Sequence, residues 1–210
     1  MFKFIKTKSP NILPAANRGF TLVELLISIA IFVFMTAFLV SKYGTFNGTI
    51  LTTNLAYDMA ITIRQAQSYG IHVRQGPTGS FNDSYGAYFN TQGAGEDTKF
   101  RLFTDIGGAN PTDDPDFFYN AGEVLSTSNL KSGMSIKSLC AANTEGAGDA
   151  TAASTHSLSI VFKRPDPDAI ITVNNPGGAV MKYAKITIQS KDGVTRHVVV
   201  RSNGQISIEN

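Results

Sequence analysis

Few residues in this 210-residue chain stand in patterns that could do chemistry. The three histidines, His72, His156 and His197, lie far apart, and none belongs to an H-E-x-x-H spacing that would make a zinc site. No G-x-S-x-G presents a serine nucleophile, and no G-x-x-x-x-G-K-[ST] loop cradles a phosphate. Cys140 is the single cysteine, so neither an intramolecular disulfide nor a cysteine-based metal site can form. In the run "SIKSLCA" it reads as a small buried hydrophobe. Asp113, Asp114 and Asp116, in "NPTDDPDFF", are oxygen donors whose spacing could hold Ca²⁺. The stretch lacks the glycine and distal glutamate of an EF-hand loop, and a solvated acidic loop is the better reading. Lys182, Lys185, Lys191, Arg196 and Arg201 accumulate towards the C-terminus, where residues 151–210 carry net +3 against −6 for residues 81–150. A basic edge of this kind could contact DNA phosphates. It could equally guard a strand edge against aggregation, the reading we prefer because the excess is small.

The residue that demands an explanation is Glu24. It lies in "RGFTLVELLISIAIFVFMTAFLV", which after Gly19 is apolar but for this carboxylate and three hydroxyls. A charge at the centre of a membrane helix costs about 2.5–3.5 kcal/mol on insertion scales. The 21 residues from Phe20 to Val40 would extend about 32 Å as a helix, the thickness of a bilayer's hydrocarbon core. Lys3, Lys6, Lys8 and Arg18 precede the segment with no acid among them, which puts the N-terminus in the cytoplasm. Without residues 1–19 the chain has 14 basic and 16 acidic residues, so its overall +2 belongs to the leader. No A-x-A site follows the apolar run, as a secretory signal would require.

Beyond Val40 the helix is expected to continue. Leu51, Leu55, Met59, Ile63 and Ala66 recur every three or four positions and define one face, with Gly70 as the stop. Gly44 and Gly48 each cost a helix interior about 1 kcal/mol relative to alanine and mark a bend or melting point. Short strands then follow: "IHVR", "YGAYF" paired with "FRLFTD", "EVLS", "MSIKSLC", "HSLSIVFKR" and "AIITV". Between them, "GGANPTDDPDFFYNAGE" and "AANTEGAGDATAAST" read as loops. The last third is clearest. "KYAKITIQS" alternates, Asp192-Gly193 turns, "RHVVVRS" returns, Asn203-Gly204 turns again and "QISIE" closes a three-stranded antiparallel unit. The fold class is α+β, a long N-terminal transmembrane or stem helix packed against a β-rich head. Composition agrees: 42% hydrophobic, 16% charged and 19 glycines suit a turn-rich folded domain.

"RGFTLVELL" resembles the class III signal of type IV prepilins and type II secretion pseudopilins. The resemblance implies that a prepilin peptidase cuts between Gly19 and Phe20, that Phe20 becomes the N-methylated mature N-terminus, and that Glu24 is the glutamate used in subunit assembly. Physically, the ammonium freed on Phe20 could meet the Glu24 carboxylate of a neighbour in an apolar helix bundle, fixing register because a misplaced subunit leaves both ions unpaired. Glu24 could instead serve only its own helix N-terminus. "YGAYFN…KFRLFTD" and "AKITIQSKDGVTRHVVVRSNGQISIE" resemble the heads of H-type minor pseudopilins and T-type minor pilins.

The expected organisation is then a cleaved leader (1–19), a transmembrane or fibre-core helix (20–41), its amphipathic continuation (42–70) and a β-rich head (71–210). The expected function is a minor pilin or pseudopilin in a type IV pilus or type II secretion pseudopilus, without cofactor or enzymatic activity. Its partners would be the prepilin peptidase, other pilin or pseudopilin subunits, the inner-membrane assembly platform and, before assembly, membrane lipid. It would sit in the cytoplasmic membrane as a single-pass protein and pass from there into the fibre. The alternative is an uncleaved, membrane-anchored extracytoplasmic binding protein, with DNA as one conceivable ligand.

Overall fold

In a computed structural model the described residues are 19–72, 74–77, 79, 81–106, 115–131, 133–144, 153–173 and 179–209. They fall into two compact units, Met1–Lys42 and Tyr43–Asn210. Helix α1 (Leu22–Ile71) begins in the first and ends in the second.

In the first unit every large apolar side chain from Phe20 to Val40 is exposed, Phe32 at 69% and Phe34 at 73% among them. Water does not tolerate a surface this apolar on a stable monomer. The segment needs lipid or protein around it, and α1 is long and apolar enough to cross a membrane.

The second unit is built on the remainder of α1. Leu55, Met59, Ile63 and Ala66 are buried there, as the three-and-four spacing predicts, with Ala56 and Ala60 beside them. Among the described residues eleven strands follow: β1 (Ser84–Asn90), β2 (Lys99–Asp105), β3 (Val124–Asn129), β4 (Met134–Ala142), β5 (Ala153–Thr155), β6 (Ser157–Phe162), β7 (Ala169–Val173), β8 (Val180–Met181), β9 (Tyr183–Ser190), β10 (Thr195–Arg201) and β11 (Ile206–Glu209). They form two antiparallel sheets, ordered β3-β2-β1-β6-β7-β8 and β11-β10-β9-β4-β5. One core joins all three layers. It contains Met59 and Ile63 from α1, Phe89, Leu102, Ile160 and Ile171 from the first sheet, and Leu139, Ile186, Ile188 and Val198 from the second.

The C-terminal strands match their sequence pattern. Ala184, Ile186 and Ile188 are fully buried, while Gln189 on the opposite parity is half-exposed. The turns at Gly193 (φ 83°) and Gly204 (φ 80°) use the left-handed region that glycine occupies without strain. β1 and β2 pair as expected, Ala87 opposite Leu102.

Four expectations change. The helix runs through Gly70 and ends at Ile71, and "IHVR" is no strand: Ile71 closes the helix and Arg74 is irregular. The helix is also unbroken at Gly44 and Gly48. A Cβ at Gly48 would stand 3.0 Å from Ser190 Oγ and 3.1 Å from Asp192 Oδ2, and one at Gly44 3.6 Å from Asp192 Oδ1. The missing side chains let the β9–β10 turn close onto the helix, and this packing offsets the propensity cost of about 1 kcal/mol each. Cys140 is half-buried rather than buried. Finally, β9 and β10, which carry most of the basic residues, are interior strands. The edges of their sheet are β11 and β5, so an edge guard is not their role.

Candidate functional site

Gly19, Phe20 and Glu24 sit together where α1 begins. Gly19 and Phe20 are exposed, Phe20 at 76%. Residues 1–18 of the expected leader lie outside the described residues. Thr21 caps the helix. Its backbone N–H and its hydroxyl donate to Glu24 Oε2 at 3.0 and 2.8 Å, while the Glu24 N–H donates to Thr21 Oγ1 at 3.2 Å. This reciprocal arrangement is a capping box, in which a hydroxyl and a carboxylate three residues apart satisfy each other's orphan backbone donors. In the single chain, therefore, Glu24 serves its own helix N-terminus, which the sequence had offered as the second reading. The two roles are compatible. Only Oε2 is engaged in these bonds, and the carboxylate remains exposed.

The basic residues do not form one surface. Register pairs Lys185 with Val199, so strand alternation puts Lys185 and Arg201 on one face of the second sheet and Arg196 on the other. Lys191 is in the β9–β10 turn, and Lys182 precedes β9 with its N–H bonded to the Ala142 carbonyl at 3.0 Å. Arg201 approaches Glu209 at 4.0 Å. A backbone-tracking stripe for DNA needs its charges side by side, and the sheet sets Arg196 apart from Lys185 and Arg201.

Asp113 and Asp114 lie outside the described residues. Asp116 is occupied by its own turn, accepting from Phe118 N–H at 2.9 Å and Asn120 Nδ2 at 3.0 Å. Among the described residues no group of three His, Cys, Asp or Glu is arranged to hold a metal ion.

Asp116 instead belongs to a cluster that the sequence did not reveal. Asp105, at the end of β2, is fully buried and accepts the N–H groups of Asp116 (3.2 Å) and Phe117 (2.9 Å). Glu123, just before β3, is 6% exposed and accepts those of Ile106 (3.2 Å) and Asn120 (2.7 Å). The two carboxylates tie down the segment between β2 and β3. From it, Tyr119 stacks on Tyr88 with ring centres 4.4 Å apart, and Phe117 accepts the Thr172 hydroxyl at 2.8 Å. Burial pushes the Glu123 carboxyl up to about 7, against the pull of its two N–H bonds; the charges of Asp105 and Asp116 push it the same way as burial does. Nearby, Arg101 grips Glu96 through two bonds of 2.7 and 3.0 Å and holds that carboxyl down at about 2. The sequence signal for Asp105 was weak: a strand "FRLFTD" that ends in an acid where solvent is expected.

The described residues thus offer a capped, exposed apolar helix start, long and apolar enough to cross a membrane, on a chain that ends in a β-rich head. Residues 14–40 match the prokaryotic N-terminal methylation motif, and this match supports the type IV pilin and pseudopilin family. It does not distinguish H-type from T-type heads. None of the curated proteins and none of the solved structures matches the chain.

Proposed function

We propose that this chain is a minor pilin or pseudopilin precursor. A prepilin peptidase cuts it between Gly19 and Phe20 and methylates the new N-terminus, and the mature chain enters a fibre of a type IV pilus or type II secretion system. The reading rests on one observation, the methylation motif over residues 14–40, which leads into an apolar segment whose large side chains from Phe20 to Val40 are all exposed. In the fibre that helix joins a bundle of like helices, and the Phe20 ammonium of one subunit meets Glu24 of another. Desolvated together, the two charges compensate each other, and out of register both are stranded. The assembly platform and other pilin-type subunits are the partners, and the head faces outward. The chain has a structural rather than an enzymatic role.

Mass spectrometry of the cell-derived protein tests this. The expected product starts at Phe20 and carries one added methyl group. An intact Met1 on the fibre-competent protein, or a cut beyond Val40, would overturn the reading in favour of an uncleaved anchor or a secreted head.

A further inference from the structure

Within the second unit, α1 and the last strand leave an open groove between them. Its walls are Tyr57, Ile61 and Arg64 from the helix and Ile206, Ser207 and Ile208 from β11. Tyr57 and Ile61 stand four residues apart on one helix face and are 56% and 59% exposed. Ile206 and Ile208 pack against the core from the other wall and are half-buried.

The β11 wall also offers unused backbone. β11 pairs with β10 alone, and it is an edge of its sheet. The Arg201 N–H donates to the Gln205 carbonyl at 3.0 Å, and bonded and non-bonded pairs alternate along an antiparallel ladder. Val200 opposite Ile206 and Val198 opposite Ile208 are therefore the non-bonded pairs. The N–H and C=O groups of Ile206 and Ile208 point away from β10, out of the sheet edge. Proteins blunt such edges with charge, proline or a bulge, and the run Ile206-Ser207-Ile208 has none of these.

The one charge in the walls is Arg64, which is exposed and, among the described residues, has no ion pair. An acid to answer it must come from the occupant. The other sheet edges of this chain supply none, since β3, β5 and β8 contain no acid. Glu209 of β11 itself lies 4.0 Å from Arg201.

We propose that β11 takes up an extended segment of a different protein as a sixth strand of its five-stranded sheet, and that this segment carries an acidic residue for Arg64. Main-chain bonds to Ile206 and Ile208 hold it, and its alternate side chains lie over Tyr57 and Ile61. Gln67 donates to the Gly204 carbonyl at 3.1 Å, so Arg64 lies towards the Ile206 end of β11 and Tyr57 towards the Ile208 end. About 10 Å of helix separates Tyr57 from Arg64, which an extended strand covers in roughly two to four residues. The segment that fits has apolar residues at alternate positions and its acid at the end that meets Ile206. None of this requires leader cleavage or fibre entry, so its failure and that of the reading above are distinguishable.

The test uses the full, isotopically labelled chain in detergent micelles. The probe is a short capped peptide in which two isoleucines and a glutamate alternate with threonines, made in both sequence orders. Amide exchange at Ile206 and Ile208 should slow about tenfold with one of the two, while that of Ser207, already bonded to β10, changes less. Methylating the peptide nitrogens that face β11 should weaken binding about tenfold. Arg64→Glu should weaken it about fivefold, and a peptide with lysine in place of its glutamate should restore it. Exchange at Ile206 and Ile208 that neither peptide alters overturns the proposal. So does binding indifferent to both methylation and Arg64→Glu, which makes the groove a patch for any apolar chain. Protection of the same amides that rises with protein concentration in the absence of peptide gives the edge to a second copy and overturns it as well.

Discussion

Glu123 should make the stability of the head fall as pH rises through neutrality, the reverse of what surface carboxylates do. Its folded-state carboxyl titrates at about 7 against 4.5 unfolded. The folded state therefore holds more protons between these values, so stability is fully present below about pH 4.5 and declines up to about pH 7. A difference of this size is worth on the order of 3 kcal/mol, an appreciable part of a domain's total. Glu96 acts in a separate window and with the opposite sign. Held at about 2 by Arg101, it withdraws stability only as pH falls below about 4.5. The perturbation is Glu123→Gln, which is neutral at every pH. Its amide must turn one N–H towards the N–H of Ile106 or Asn120, leaving a buried donor unsatisfied at a cost of about 1–3 kcal/mol. The variant should accordingly be less stable than the parent at pH 5 and lose little more between pH 5 and 8, so that the two profiles converge. Urea unfolding of the full chain in detergent micelles, followed by near-ultraviolet circular dichroism, measures both. Parallel profiles from pH 5 to 8 would refute the reasoning, because the proton would then not reside on Glu123.

Three further outcomes are expected. Glu24→Gln keeps a capping-box partner for Thr21 but loses the charge. It should leave leader cleavage intact and reduce incorporation into fibres, measured by sheared-fibre immunoblot, and normal incorporation would leave the capping box as the only role of this residue. Gly19→Asp should block cleavage, because a charged side chain replaces a hydrogen where the peptidase needs close backbone approach; efficient removal of the leader, seen by mass, would exclude this cut site. Gly48→Leu fills the notch against Ser190 and Asp192 and should destabilise the head by about 1–3 kcal/mol through overpacking, read as a lower midpoint in the same urea assay.

Features set by neighbours along the chain were legible. Ala184, Ile186 and Ile188 alternate with polar residues, and Asp192-Gly193 and Asn203-Gly204 carry their own turn chemistry, so β9, β10 and β11 could be read locally. The helix was legible for the same reason, from the recurrence of Leu55, Met59, Ile63 and Ala66. What depended on distant partners was not. Gly44 and Gly48 look like weak points until the β9–β10 turn, some 140 residues later, is known to rest on them. Glu123 sits in a stretch rich in Gly, Pro and Asp that reads as solvated, and its burial follows only from the packing of Phe117 and Tyr119 across the first sheet. Lys185 and Arg196 appear as one basic edge in sequence, but β10 pairs on both sides and the alternation of strands sends them to opposite faces. Thr21 and Glu24 were a capping box by spacing alone, a signal the membrane context outweighed.

Both sheets are anchored on the same helix, and that governs how the head responds to traction. Tension drawn along α1 meets Thr52, Leu55, Met59 and Ile63 side by side, all buried against the sheets. It has to slide the whole interdigitated face at once, a shearing load shared across several helical turns. Among the described residues the first strand begins only at Ser84, past the helix end, so the pull reaches the helix face before any strand. A head mounted this way can carry force without unzipping.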